Sequence, residues 1–296
     1  MSHAVKFAVN KPLLRRNFLG ASSKTLAVIY LSLSVGFAEG KDGGKTRDPT
    51  PISPNDKVIP LFNGKDLAGL YGWLKDTRYE DPRKVFMVSD GMIKISGEVD
   101  GYLATEKEYR DYHLVAEYKW GPRTYGSKTV RNSGILLHAV GPDGNRSPWM
   151  SSIECQLAQG CVGDFIVIRG KEASGATTPV TITSETILGP DGRTRWKKGG
   201  NPALYSGKQF WWSLHDPDFQ ELIDTRGVND VESPLGEWTR VECVCTGNRI
   251  TVVVNGIAVN ECFNVYPSAG KILLESEGFE IFFRKFELHP LGALKK

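Results

Sequence analysis

The chain is poor in the features that mark many protein classes. It has 5 cysteines and 4 methionines among 296 residues, and no two cysteines form a C-x-x-C pair, which argues against a structural zinc site. Helical periodicity is scarce, so a helical bundle or an alternating α/β fold is not expected. No apolar run reaches the roughly 20 residues that span a bilayer as a helix. Basic side chains do not cluster: 37 lysines and arginines stand against 34 acidic residues, leaving no electrostatic footprint for nucleic acid. No cofactor motif is evident, and a divalent metal is left open.

What is present begins at the N-terminus. Arg15-Arg16-Asn17-Phe18-Leu19 precedes the apolar stretch 25–38 and has the form of a twin-arginine export signal. Its apolar core, Leu26 to Leu31, is too short to span a bilayer, and Gly36-Phe37-Ala38 offers small residues for cleavage after Ala38. A retained membrane anchor is the less favoured alternative, because no lipidation cysteine and no stop-transfer pattern follow. The expectation is a periplasmic or extracellular protein with no stable membrane anchor once the signal is removed. Residues 1–38 hold five basic residues (Lys6, Lys11, Arg15, Arg16, Lys24) and no acidic one, so +3 less 5 leaves the mature chain at −2. Residues 39–57, rich in Gly, Pro, Asp and Lys, read as a flexible linker. A single domain is expected over 58–296, a size one β domain can reach.

Strand signals dominate that domain. Trp238–Cys245 and Arg249–Val254 are β-rich and separated by Gly247-Asn248, and Asn255-Gly256 then divides Val252-Val253-Val254 from Ile257-Ala258-Val259. Asn-Gly between β-branched runs is a strong hairpin signal. Lys271–Glu277 and Phe279–Leu288 flank Gly278 and read as another strand pair. Lys84–Val88, Met92–Ser96, Tyr112–Trp120, Ser133–Val140 and Ile153–Leu157 are further short runs punctuated by turn residues. Many short strands of this kind predict an all-β sandwich. Four of the cysteines, Cys155, Cys243, Cys245 and Cys262, lie in or beside such runs, and Cys161 follows one. Buried free thiols are expected, the alternative being that Cys243 or Cys245 meets Cys262 across the hairpin.

Alternation within the strands assigns side chains to faces. In Ile153-Glu154-Cys155-Gln156-Leu157 the apolar positions face the core, so Glu154 and Gln156 project from the other side. The same parity separates His138 from Leu137, and Glu117 and Lys119 from Tyr118 and Trp120. If these strands share one sheet, its outer face carries carboxylates, an amide, an imidazole and an ammonium. An ordinary solvated face is the alternative, since antiparallel sheets commonly wet one side.

Several phrases together carry a resemblance: Leu61-Phe62-Asn63-Gly64-Lys65-Asp66-Leu67, Gly101-Tyr102-Leu103-Ala104-Thr105, Asn132-Ser133-Gly134-Ile135, Ile153-Glu154-Cys155-Gln156, Gly163-Asp164, Gly236-Glu237-Trp238, Val254-Asn255-Gly256 and Ile281-Phe282-Phe283-Arg284. In this order, from Val58 to about Leu291, the chain resembles the 3-keto-disaccharide hydrolase family. The resemblance implies a concanavalin A-like jelly-roll sandwich of two antiparallel sheets. It further implies a concave face that holds carbohydrate and an activity on the glycosidic bonds of 3-oxo-glycosides.

A ketone at C3 acidifies the hydrogen at C2, so a base can remove it while an acid assists departure of the C1 oxygen, with hydration following. Such a route needs a base, an acid and a stabiliser of the enediolate oxygen. Glu154 is the first candidate for acid/base work, with His138 and Arg284 as oxyanion stabilisers and Gln156 as a hydroxyl reader. Family members often carry Arg where His138 stands, and Gln then His where Glu275 and Glu277 stand, so this chain departs at three positions. Glu275 and Glu277 share a parity and can supply one acid/base group or bind a cation. Trp149, Trp211 and Trp212 are candidates for stacking on sugar rings; of the adjacent pair, one is expected in the core and the other at the cleft. Asp164 after Gly163 is expected to close a turn rather than hold a metal.

Two other readings belong beside this one. A non-catalytic carbohydrate-binding module would need only aromatic platforms and hydroxyl readers, and fold alone does not choose between them. A laminarinase-like endo-glucanase is suggested by Glu275-Ser276-Glu277-Gly278-Phe279-Glu280. Its retaining chemistry requires carboxyls about 5 Å apart, and Gly278 is expected to turn the chain before Glu280 can join the row.

Overall fold

The computed structural model describes residues 50–126, 129–146 and 148–292; the twin-arginine segment and most of the linker lie outside them. The described residues form seventeen strands in two sheets, with every strand pair antiparallel and no helix. The smaller sheet has the order β2 (Leu70–Leu74), β5 (Gly101–Thr105), β16 (Lys271–Ser276), β7 (Gly134–Val140), β8 (Ser151–Gln156) and β9 (Phe165–Ile168). The larger runs β11 (Thr194–Trp196), β10 (Thr181–Leu188), β15 (Ile257–Tyr266), β14 (Arg249–Val254), β13 (Thr239–Thr246), β6 (Tyr112–Thr124), β17 (Phe279–His289), β4 (Met92–Ile95) and β3 (Phe86–Ser89). To this, β1 (Ile59–Pro60) adds beside β17 and β12 (Asn201–Leu204) beside β10. The architecture is the jelly-roll sandwich expected from the sequence.

Local chemistry explains the connections. Asn255 and Gly256 have φ of +48° and +83°, the left-handed pair a two-residue hairpin needs, and they join β14 to β15. Inward positions of the two sheets then meet in one apolar core. Ile135, Leu137, Ile153, Cys155, Leu157 and Leu274 from the smaller sheet pack with Leu114, Ala116, Tyr118, Val241, Cys243, Ile281 and Phe283 from the larger. Each such side chain taken fully from water contributes about 1.5–3 kcal/mol before the entropy of ordering is subtracted. All five cysteines are unbridged, with Cys155, Cys243, Cys245 and Cys262 buried and Cys161 half-buried.

Three readings of the sequence are corrected. Lys271–Glu277 and Phe279–Leu288 do not pair with each other: β16 belongs to the smaller sheet and β17 to the larger, and Gly278 (φ +84°) is where the chain crosses. Glu117 and Lys119 lie on β6 and Arg284 on β17, both in the larger sheet, so they do not share a sheet with Glu154. The arginines Arg240 and Arg284 both bond Glu117, while Lys119 stacks over Trp238 and Phe282. Finally, His138 is not on the outer face with Glu154. The β7 register shifts against both neighbours around this residue and His138 has φ +51°, a bulge that re-aims the side chain. Its ring sits edge-on to Tyr112 of the core, with Nδ1 3.0 Å from the Pro267 carbonyl.

Candidate active site

The face of the smaller sheet turned away from the core carries a second cluster. Register across the strands puts Ile166, Glu154, Leu136, Leu273, Ala104 and Tyr71 in one row. Trp73, Tyr102 and Glu275 share the next, and Gly134 pairs with Gln156. Glu154 and Gln156 therefore stand opposite the core residues Ile153 and Cys155, as alternation requires. They are nonetheless buried, at 5% and 8% exposure, because loops fold over this face. One of these, the 141–149 loop, is pinned by Asp143. Its carboxylate accepts hydrogen bonds from Tyr71 (2.7 Å), Tyr102 (2.6 Å) and Tyr79 (2.9 Å), and it places Arg146 and Trp149 against the site.

A cavity of about 480 Å³ opens here, lined by Glu154, Glu275, Glu277, Gln156, Asn132 and Trp149 among others. A neighbouring one of about 380 Å³ shares Asn132, Gln156 and Glu277 with it and continues to Gln209, Trp211 and Glu221. The two form a groove with the carboxylates at its centre. Gly134 makes this convergence fit: a Cβ there would stand 2.6 Å from Glu275 Oε2 and 2.9 Å from Glu154 Oε1, so the two carboxyl groups occupy the room a side chain would take. The segment before it is anchored by buried Arg131, which donates to Asp224 (2.6 Å) and to the Gly121 carbonyl (2.7 Å). Ser133 Oγ donates to the Glu275 carbonyl (3.0 Å).

Electrostatics follow from this burial. Removal from water raises the Glu154 carboxyl well above the usual carboxylate range, and the nearby Glu277 and Asp164 carboxylates push it further the same way. Asn132 Nδ2 donates to Glu277 Oε2 at 2.7 Å, fixing that side chain. Gln156 Oε1 accepts from the backbone N–H groups of Leu157 (2.9 Å) and Ala158 (3.0 Å), which leaves Nε2 as a donor for a ligand. Asp164 is fully buried and accepts from Trp212 N (2.6 Å) and Gln209 Nε2 (2.7 Å); its role is to hold that loop. Among the described residues no group of three or more His, Cys, Asp or Glu side chains is arranged to hold a metal ion.

The structure thus brings together Glu154, Gln156, Glu275, Glu277, Trp149 and Trp211, and separates from them His138, Glu117, Lys119 and Arg284. Of the adjacent tryptophans, Trp212 is the core residue, 2% exposed and donating to the Gly160 carbonyl. Trp211 lines the groove, with the Arg193 guanidinium 4.2 Å from its ring centroid. Glu280 is on β17, paired with Lys94 (2.9 Å), so it does not extend the Glu275–Glu277 row. Asn132, Arg146, Arg169 and Gln209 also line the groove. Asn132 alone had a local signal, its place in the Asn132-Ser133-Gly134 phrase.

An antiparallel jelly roll with a carboxylate-centred groove on one sheet is the class of protein that fold and site define. The chain belongs to the family described as 3-keto-alpha-glucoside-1,2-lyase-like domain, whose model matches residues 57–289. No curated protein matches the sequence. Among solved structures it is similar to a putative glycosyl hydrolase from Parabacteroides distasonis, at 17% identity and a TM-score of 0.47, covering 79% of this chain and 94% of that one. It is also similar to a β-glucanase from Bacillus licheniformis, at 10% identity and a TM-score of 0.41, covering 79% and 98%. A carbohydrate-binding module from Bacillus subtilis aligns at 9% identity and a TM-score of 0.39, covering 74% and 94%.

Proposed function

We propose that this protein is an exported enzyme that cleaves a glycosidic bond in 3-oxo-glycosides by elimination and hydration. The observation that carries the reading is the meeting of carboxyls in one groove: Glu154, whose burial favours its protonated form, and Glu277, which accepts from Asn132 Nδ2 at 2.7 Å. Two carboxyls whose surroundings differ are what acid/base chemistry near neutral pH requires. Glu277 removes the C2 proton, the electron pair moves toward the C3 ketone, and Gln156 Nε2 donates to the oxygen on which charge develops. The C1–O bond then breaks as Glu154 gives its proton to the leaving oxygen, releasing an alcohol and an unsaturated ketone to which water adds. Residues 1–38 would direct the chain through the twin-arginine route to the periplasm or beyond.

Incubation of the purified protein with a 3-oxo-glycoside, followed by release of the aglycone, tests this. Turnover that disappears in Glu154→Gln supports it, and wild-type turnover in that variant overturns the assignment of the acid. Saturable sugar binding with no turnover on any 3-oxo-glycoside would instead identify a carbohydrate-binding module. Turnover of unoxidised β-glucan alone would identify an endo-glucanase.

A further inference from the structure

The larger cavity is not uniformly acidic. Its lining also includes two arginines, Arg146 and Arg169, neither of which forms an ion pair with a carboxylate among the described residues. Arg169 is held in place: its Nε donates to the Val180 carbonyl at 2.7 Å, and its guanidinium lies 5.7 Å from the Tyr205 ring centroid. With Nε committed, the remaining donors are those of the two terminal nitrogens, the edge that grips planar oxyanions. Arg146 sits on the loop that Asp143 clamps to the sheet, its backbone bridged to Trp149 (2.7 Å from Arg146 N to the Trp149 carbonyl). Two guanidiniums without a carboxylate partner among the described residues, one of them held at its Nε, line a sugar-sized cavity and serve no part of the chemistry proposed above.

We infer that Arg146 and Arg169 form a subsite for an anionic substituent on the sugar, a carboxylate or a sulfate ester, so that the substrate is an acidic glycoside. This rests on the reading of the groove as a carbohydrate site and specifies which carbohydrate it takes. A neutral sugar would leave the guanidinium edges facing water, whereas an oxyanion accepts charge-assisted hydrogen bonds from both. Such bonds are about twice as strong as neutral ones, and losing one side of the grip corresponds to roughly tenfold or more in affinity.

The test is calorimetric titration of the full chain, at low ionic strength and pH 7, with methyl glucoside, methyl glucuronide and glucose 6-sulfate. The expected result is that at least one acidic probe binds about tenfold or more tightly than the neutral one, with the advantage shrinking as salt is added. The better acidic probe identifies the substituent. Arg146→Gln and Arg169→Gln should each lower the ratio of acidic to neutral affinity by about tenfold. Arg146 is exposed, so its variant guards against a loss of fold at Arg169. Glu154→Gln should retain the preference. Equal binding of all three probes, or no binding of any, overturns the subsite, while the carbohydrate reading stands or falls on turnover of the 3-oxo-glycoside.

Discussion

Glu154 and Glu275, on strands separated by β7, meet over the bare backbone of Gly134: a Cβ there would lie 2.9 Å from an oxygen of the first and 2.6 Å from an oxygen of the second. An absent side chain on the intervening strand is thus what lets two acids from different strands share a site. Gly134→Ala should move both carboxyls, since the atoms it meets are the far ends of flexible side chains. The backbone at Gly134 is not in the left-handed region, so the fold itself should tolerate the methyl group. Turnover is expected to fall by about a hundredfold, the scale of a misplaced catalytic group, while thermal melting shows a loss of no more than about 1–3 kcal/mol. A variant with full turnover would show that the carboxyls need not converge there.

The raised Glu154 carboxyl has consequences for both rate and stability. An acid that must carry its proton gives turnover that declines as pH rises through its folded-state value, and the wild-type pH–rate profile should show this alkaline limb. Because folding favours the protonated form, the stability this group contributes is full below its unfolded value near 4.3 and is lost as pH rises through the raised one, at about 1.4 kcal/mol per pH unit. Melting curves should therefore show Glu154→Gln gaining on the wild type at pH 8 relative to pH 4.

His138 gives the opposite slope. Burial lowers its imidazole to about 4, so the folded state favours the neutral ring. Stability contributed by this residue is complete above the unfolded value near 6.5 and falls as pH drops toward 4, by up to roughly 3 kcal/mol. In His138→Gln the melting temperature should change less between pH 7 and pH 4 than in the wild type. Turnover per folded molecule at pH 7 should be unaltered, which separates a bulge residue in the core from an oxyanion stabiliser.

The larger sheet offers a control. Glu117 accepts from Arg284 Nε at 2.6 Å and from Arg240 Nη1 at 3.2 Å, remote from the groove. Glu117→Gln and Arg284→Gln should leave substrate turnover unchanged and cost about 1 kcal/mol or less in melting experiments, the usual scale of a solvent-accessible ion pair. A hundredfold loss of turnover in either would place catalysis on the wrong sheet.

Much of the fold was legible because strand alternation and hairpin chemistry are local. Asn255-Gly256 gave its turn outright, and the parity of Ile153 to Leu157 placed Glu154 and Gln156 on the face they occupy. The site was legible only where parity ran unbroken. His138 was misread because a bulge inserts a residue and reverses the alternation, which nothing in Leu136-Leu137-His138-Ala139 announces. Glu117, Lys119 and Arg284 were misread because parity says which face of a strand a residue takes but not which sheet the strand joins. Arg146 and Arg169 reach the groove from the 141–149 loop and the end of β9, and their place depends on contacts with Asp143, Val180 and Tyr205 that are distant in sequence.

The turn at Gly278 sets a boundary on how acidic motifs can be transferred between sandwich enzymes. Glu277 and Glu280 are three positions apart in the chain, yet one faces the groove beside Asn132 while the other neutralises Lys94 among the strands behind it. A search that scores the spacing of glutamates would count them as neighbours, and an enzyme engineered by grafting that spacing would inherit a carboxylate that never meets its substrate.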